Sequence, residues 1–290
     1  MDLFLQYLAN GIVVGSSYVL VAVGLTLIFG ILGIVNFARG EFYMLGGFAG
    51  IGLATVLGLP LIVSLLGVVA FAALLGFLAE QILNRQVKDK DPTNSIVSSF
   101  GLAVVLQNAA LLVIGPQPML LRTDLSMVPV EIGPVYLPLQ RALIPVAMIV
   151  LVGALHLLLR HTWVGMSLRA MAQQPTVARM CGIRVSRVAI VTFMTGAVFA
   201  GVAGFLMSSV FMVHPLIGNM IVLKAFTVVI LGGMGSVTGA AAAGLMLGLV
   251  ESMTSAYLGN GLRDIVGFLM VVIVLLAWPQ GIFGRNLERS

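Results

Sequence analysis

The feature that most constrains this chain is the continuity of its apolar runs. They extend over roughly 10–35, 41–58, 61–84, 96–115, 140–160, 188–212, 221–235, 237–258 and 263–283. Most approach the ~20 residues that carry an α-helix across a bilayer. A transmembrane β-barrel would instead alternate apolar and polar residues over ~10-residue stretches, and these runs do not alternate. Charged residues make up 9% of the chain, against roughly 25% in a soluble domain, so a water-facing surface cannot be covered. Disorder requires the opposite composition. A disulfide scaffold is excluded by a single cysteine, Cys181. The reading is an all-α polytopic membrane protein with eight or nine transmembrane helices.

No proline-rich, serine-rich or low-complexity linker divides the sequence, so residues 1–290 are read as a single transmembrane domain. The opening Met1-Asp2-Leu3-Phe4 is acidic rather than basic, and the run after Gly11 is long enough to span, unlike a cleaved signal. The 221–235 stretch is short. It is expected to be a half-helix, a re-entrant segment or part of one broken helix with 237–258.

Nine spans place Arg39, Arg85, Lys88, Lys90, Arg160, Arg169, Arg179, Arg184, Arg187, Arg285 and Arg289 on one side. Only Arg122, Arg141, Lys224 and Arg263 remain on the other. The positive-inside rule makes the first side cytoplasmic, with the N-terminus outside and the C-terminus inside. The net charge of +5 thus has a topological reason and implies no nucleic-acid partner.

Two loops exceed a turn. Loop 116–140 is extracytoplasmic and holds Pro116, Pro118, Pro129, Pro134 and Pro138, a density that disfavours helix. Met127 to Leu137 has strand-type residues around Gly133-Pro134, which fits a short hairpin. Loop 161–187 is basic and amphipathic. Gly165–Gln173 suits one short helix. Pro175 suits the first turn of a second, and Gly182 the position just past its end. Val177, Met180 and Cys181 then share one face. Such a stripe either lies on the membrane surface or docks on another protein.

The pattern LRAMAQQPTVARMCGI, followed by RVSRVAIVTF and GAVFAGVAGFL, resembles the permease subunits (H-type) of branched-chain amino-acid ABC importers. GLTLIFGILGIVNFARGEFYMLGG at 24–47, LKAFTVVILGGMGSVTGAAAAGLMLGLVES at 223–252 and the tail WPQGIFGR at 278–285 agree. The resemblance covers about residues 7 to 285. It implies a bacterial inner-membrane importer of branched-chain or other small amino acids, in which two related permeases, or two copies of one, form the channel. Two cytoplasmic ATPases, carrying ATP and Mg, would drive it, and a periplasmic binding protein would deliver substrate. Loop 161–187 corresponds to the family's coupling loop. Val177, Met180 and Cys181 would face the ATPase, Arg169 and Arg179 its rim, with Gln174 and Gly182 in the same loop. Two departures stand out. Arg39 replaces a usual histidine, and Gln173-Gln174 are neutral where an acidic residue is common. Urea and short-amide permeases are close relatives, so those substrates are the alternative.

No catalysis or cofactor is expected in this chain. None of the three lysines, Lys88, Lys90 and Lys224, follows glycine, so no phosphate-binding loop of the G-x-x-x-x-G-K-[ST] type exists. His156, His161 and His214 are scattered, and one cysteine supplies no metal cluster. A membrane hydrolase would need a base facing Ser16, Ser17, Ser98 or Ser99, and no histidine sits mid-span. A self-sufficient secondary transporter remains the other class.

Polar groups inside the membrane usually face a bundle interior or water, so they mark candidates for the translocation path. The first set is Asn36, Arg39 and Glu41, where Arg39 and Glu41 either pair or line the cytoplasmic end of the pore. The second is Gln107 and Asn108. The third is Thr227 with Gly232 and Gly235, where glycines form either an interrupted helix or a tight turn. Glu251 and the Arg263-Asp264 pair are weaker candidates. Blocks 24–47 and 223–248 share a layout and suggest an internal pseudo-repeat whose interruptions meet. Gly11/Gly15, Gly46/Gly50 and Gly244/Gly248 indicate close helix packing.

Overall fold

The computed structural model describes residues 2–87, 92–123, 128–133, 135–278 and 280–283. Lys88, Lys90, Met127, Pro134, Arg285 and Arg289 lie outside the described residues. Eleven α-helices and one hairpin follow in order: α1 Asp2–Leu32, α2 Arg39–Ile51, α3 Leu61–Val87, α4 Pro92–Val113, β1 Pro129–Ile132, β2 Val135–Pro138, α5 Leu139–His161, α6 Trp163–Gln173, α7 Pro175–Met180, α8 Val185–Met207, α9 Ile217–Gly232, α10 Val237–Tyr257 and α11 Arg263–Ala277. Among the described residues seven of these elements are long and apolar enough to cross a bilayer. The 16-residue α9 is apolar but shorter. The 13-residue α2 is extended by one wide turn, Gly52–Val56.

Helices α1 and α8 form the centre. The spanning windows of α1 and α8 are 83% and 72% buried, against 22% or less for α3, α4, α5 and α11. The outer helices keep their apolar side chains exposed because the bilayer, not water, surrounds them. The three small-residue pairs all serve packing inside the chain. A Cβ on Gly248 would lie 2.3 Å from Gly15 Cα, and one on Gly46 would lie 2.3 Å from the Gly201 carbonyl oxygen. Gly11/Gly15 and Gly244/Gly248 therefore bring α1 onto α10, while Gly46/Gly50 bring α2 onto α8.

The segment 221–258 is not one broken helix. It is an antiparallel pair, α9 and α10, joined by a turn. Gly233 takes φ +92° and Gly235 φ +89°, a region that a side chain disfavours. Ser236 then caps α10, its hydroxyl accepting from the Gly239 N–H at 3.0 Å. Two positive-φ glycines and a cap make a tight connection, which explains why the glycine cluster reads ambiguously.

The ends of the bundle sort cleanly. At one end the Gln6 side chain bonds the Tyr136 backbone in both directions, at 2.9 and 3.0 Å, and Met119 bridges to Val213. This end holds the start of α1 and the hairpin, whose antiparallel register pairs Pro129 with Pro138 and Ile132 with Val135. At the other end Gly30 approaches Gly235, α6 lies beside both, and Ile282 N–H donates to Leu231 O at 2.9 Å. The chain's start and its last described residues are thus at opposite ends. The last turn of α1, at Gly30, approaches the α9–α10 turn at Gly235 here.

Candidate functional site

Helix α6 begins two residues earlier than Gly165 because Thr162 caps it, accepting from Gly165 N–H at 3.0 Å. Gly165 lets the turn close on α5, since a Cβ there would sit 2.1 Å from the Leu158 carbonyl oxygen. Leu168 and Met171 are buried, anchoring α6 to the bundle. Helix α7 starts with Pro175 and ends before Gly182, which takes φ +83°. The anticipated face is present: Val177 is 52% exposed, Met180 82%, and Cys181 is exposed. Arg179 of the same helix and its N-cap Gln174 are exposed too, and Arg169 is exposed on α6, on the side of Gly30 and Gly235. The arrangement is an apolar patch with one basic residue, Arg179, on a short helix whose Ala178 is buried.

The first polar set lies in the segment between α1 and α2. Asn36 Oδ1 accepts from Ala38 N–H at 2.9 Å, turning the chain into α2. Ser99 of α4 holds the same segment, accepting from Phe37 N–H at 3.2 Å. Arg39 is fully buried, and its guanidinium lies against Gly24 of α1 and Gly196 of α8. A Cβ on Gly196 would come within 2.0 Å of Arg39 Nη1. Glu41 is buried near Gly218 at the start of α9. The suggested Arg39–Glu41 ion pair does not form. None of the three guanidinium nitrogens of Arg39 has a hydrogen-bond partner among the described residues, and Glu41 Oε2 has none. The two side chains diverge, one toward α1 and α8, the other toward α9. Glu80 of α3 is also buried with both carboxylate oxygens unpartnered among the described residues, and the sequence reading passed over it.

The remaining candidates separate. Asn108 is exposed on α4 and donates to its own helix at Val104 O, 2.8 Å. Gln107 accepts from Asn219 Nδ2 of α9 at 3.4 Å. Asn219 is a further polar residue on that face which the sequence reading did not single out. Thr227 is buried and donates back to Leu223 O at 3.0 Å. Gly232 packs against Gly239 at the α9–α10 turn, and Gly235 lies beside Gly30 and α6. Gly232 and Gly235 therefore belong to the end that carries α6 and α7. Three of the four serines weighed as nucleophiles are engaged locally, Ser16 donating to Ile12 O, Ser98 to Asn94 O and Ser99 to Ile96 O, while Ser17 hydrogen-bonds Tyr43 of α2.

The weaker candidates form the most connected cluster. Glu251 of α10 is fully buried and meets Lys224 of α9, Arg263 Nε at 2.8 Å and Tyr18 OH at 2.8 Å. Lys224 also reaches Asp264 at 2.8 Å, and Arg263 Nη2 donates to Tyr18 OH at 3.0 Å. Two cations and two anions cancel, and α1, α9, α10 and α11 are tied together. The partners are 12 to 245 positions apart, so no local motif announces them. Charges placed inside apolar runs were the available signal.

Among the described residues no group of three metal-ligating side chains occurs. A family model described as branched-chain amino acid transport system / permease component matches residues 7–275. The high-affinity branched-chain amino acid transport system permease protein LivH of Escherichia coli is 34% identical over 97% of this chain and 96% of its own length. The high-affinity branched-chain amino acid transport system permease protein BraD of Pseudomonas aeruginosa is 33% identical over 97% of this chain and 96% of its own length. A probable LivH of Methanocaldococcus jannaschii is 26% identical over 97% and 93%. No solved structure matches. The match spans nearly every helix described above, and the chain belongs to the permease-component family of branched-chain amino acid transport systems: it is a multi-pass membrane transport subunit of the ABC type, not an enzyme.

Proposed function

We propose that this permease moves a branched-chain or other small aliphatic amino acid across a bacterial inner membrane. It does so as one of two paired permeases, driven by two cytoplasmic ABC ATPases and supplied by a periplasmic binding protein. The observation that carries the coupling is the exposed Val177–Met180–Cys181 patch on a loop whose other helix is anchored through Leu168 and Met171. An apolar patch in water is unfavourable until covered. An anchored helix transmits displacement to α5 and α8, which flank the loop directly. Arg169 and Arg179 contact the ATPase rim, and Gln174 and Gly182 set the ends of α7. ATP and Mg are held by the ATPases. The end carrying α6 and α7 faces the cytoplasm, as the basic loop 161–187 supports.

The translocation path is assigned to the polar groups Asn36, Arg39, Glu41, Gln107, Asn108, Thr227, Gly232 and Gly235, with Asn219 added. Gln107, Asn108 and Asn219 support a path along the surface shared with the second permease. Polar side chains on an otherwise apolar outer face are costly against lipid and favourable against water or a partner.

Reconstitution of the permease pair with its ATPases and binding protein tests this reading. ATP-dependent accumulation of leucine is the expected result; uptake by this chain alone without ATP contradicts it. Urea or a short amide is the second reading, because the departure at Arg39 from the resemblance leaves the substrate class open. Competition of leucine uptake by urea or acetamide decides between them.

A further inference from the structure

A groove of about 570 Å³ opens between α6 and the first turns of α8. Its walls change character along its length. In chain order it is lined by Cys181 and Gly182 before α8, Arg184 and Arg187 at the start of α8, and Ile190 and Val191 a turn further along, with Trp163 at the start of α6. Arg184 and Arg187 are exposed and form no ion pair among the described residues. Trp163 is 83% exposed.

Depth decides what such a groove can hold. Helix α8 has 23 residues, about 35 Å at 1.5 Å per residue. That slightly exceeds the ~30 Å hydrocarbon core. Ile190 and Val191 lie about 8 Å along α8 from its start, hence inside the hydrocarbon edge. Arg184 and Arg187 lie at headgroup level, where exposed tryptophan is also favoured. A soluble protein cannot reach the inner end without entering lipid, and a free anion gains nothing from it. An amphiphile with an anionic head satisfies both ends at once. Guanidinium groups bind phosphate with directional, charge-assisted hydrogen bonds, and basic pockets between helices on the cytoplasmic side suit acidic headgroups.

We infer that this groove is a binding site for an anionic phospholipid, its phosphate at Arg184 and Arg187 and an acyl chain along Ile190 and Val191. The site requires only that α8 spans the bilayer, and it stands whether or not the ATPase docks on α7.

The test uses the full-length chain with Trp278→Phe in bilayer nanodiscs. The sequence has two tryptophans, so Trp163 is then the sole indole. Its quenching is titrated with acyl-brominated phosphatidylglycerol and, separately, acyl-brominated phosphatidylcholine. At about 1 kcal/mol per arginine, the anionic lipid should associate about 25-fold more tightly. The preference should fall to about 5-fold in Arg187→Gln and vanish in R184Q/R187Q. The R184K/R187K variant should retain most of it, which separates loss of charge from loss of fold. Excess inorganic phosphate should leave the quenching intact. Equal quenching by the two lipids, a preference unchanged in R184Q/R187Q, loss of the preference in R184K/R187K, or relief of quenching by inorganic phosphate would each overturn the site.

Discussion

Charge enters the interior of this bundle at two places, and they are built in opposite ways. At Lys224, Glu251, Arg263 and Asp264 every charge meets an opposite one, with Tyr18 closing the network. At Arg39 the guanidinium is enclosed between two glycines with no partner among the described residues. Folded proteins leave few buried polar atoms unsatisfied. The paired cluster reads as a clamp holding α9, α10 and α11 against α1. The unpaired arginine adds nothing to that clamp. Burial of a charge therefore does not by itself mark function; the missing partner at Arg39 supports the transport role proposed for it.

The largest effect should come from breaking the clamp on one side. Glu251→Gln leaves Arg263 without an acidic partner and Lys224 with Asp264 alone, and should cost about 3–5 kcal/mol, read from thermal unfolding of the purified protein in detergent. Adding Lys224→Met should recover part of that loss, and purely additive losses would show that the pair is not coupled. Next comes Gly196→Ala, which pushes a methyl into the Arg39 guanidinium and should cost about 1–3 kcal/mol. Combining it with Arg39→Met should relieve the clash, whereas an undiminished loss would place the strain elsewhere. Arg39→Met alone should leave stability unchanged or raise it by about 1–4 kcal/mol, while ATP-driven uptake falls. A strongly destabilised Arg39→Met protein would erase the contrast between the two places. The smallest effect on stability belongs to Met180→Asp, within about 0.5 kcal/mol because the side chain is exposed. In the assembled importer it should nonetheless uncouple ATP hydrolysis from uptake, and normal import would remove Met180 from the docking face.

The parts of this account legible in the sequence are those with a local physical cause. Continuous apolar runs place the helices to within a few residues. Pro175 and Gly182 bracket α7, and the strand-type residues around Gly133 locate the hairpin. The start of α1 is missed by eight residues because its first two turns carry polar residues such as Gln6 and Asn10, which side-chain and tertiary contacts tolerate. The charge clamp is invisible locally because its members come from four helices. The Arg39–Glu41 pairing fails for the converse reason. Adjacent positions in sequence suggest contact, yet at the start of a helix i and i+2 point to different faces. Gln107 and Asn108 are legible as polar intrusions, but their neighbour Asn219 sits at a helix start, where asparagine attracts no notice.

The claim on which the functional account rests is that the end bearing α6 and α7 is the cytoplasmic, motor-facing end. Cys181 is the sole cysteine and is exposed, so it reports that end directly. A membrane-impermeant maleimide should modify it in inside-out vesicles stripped of ATPase, and restoring the ATPase subunits should block the reaction. Modification of Cys181 from the periplasmic face of intact spheroplasts would contradict the account.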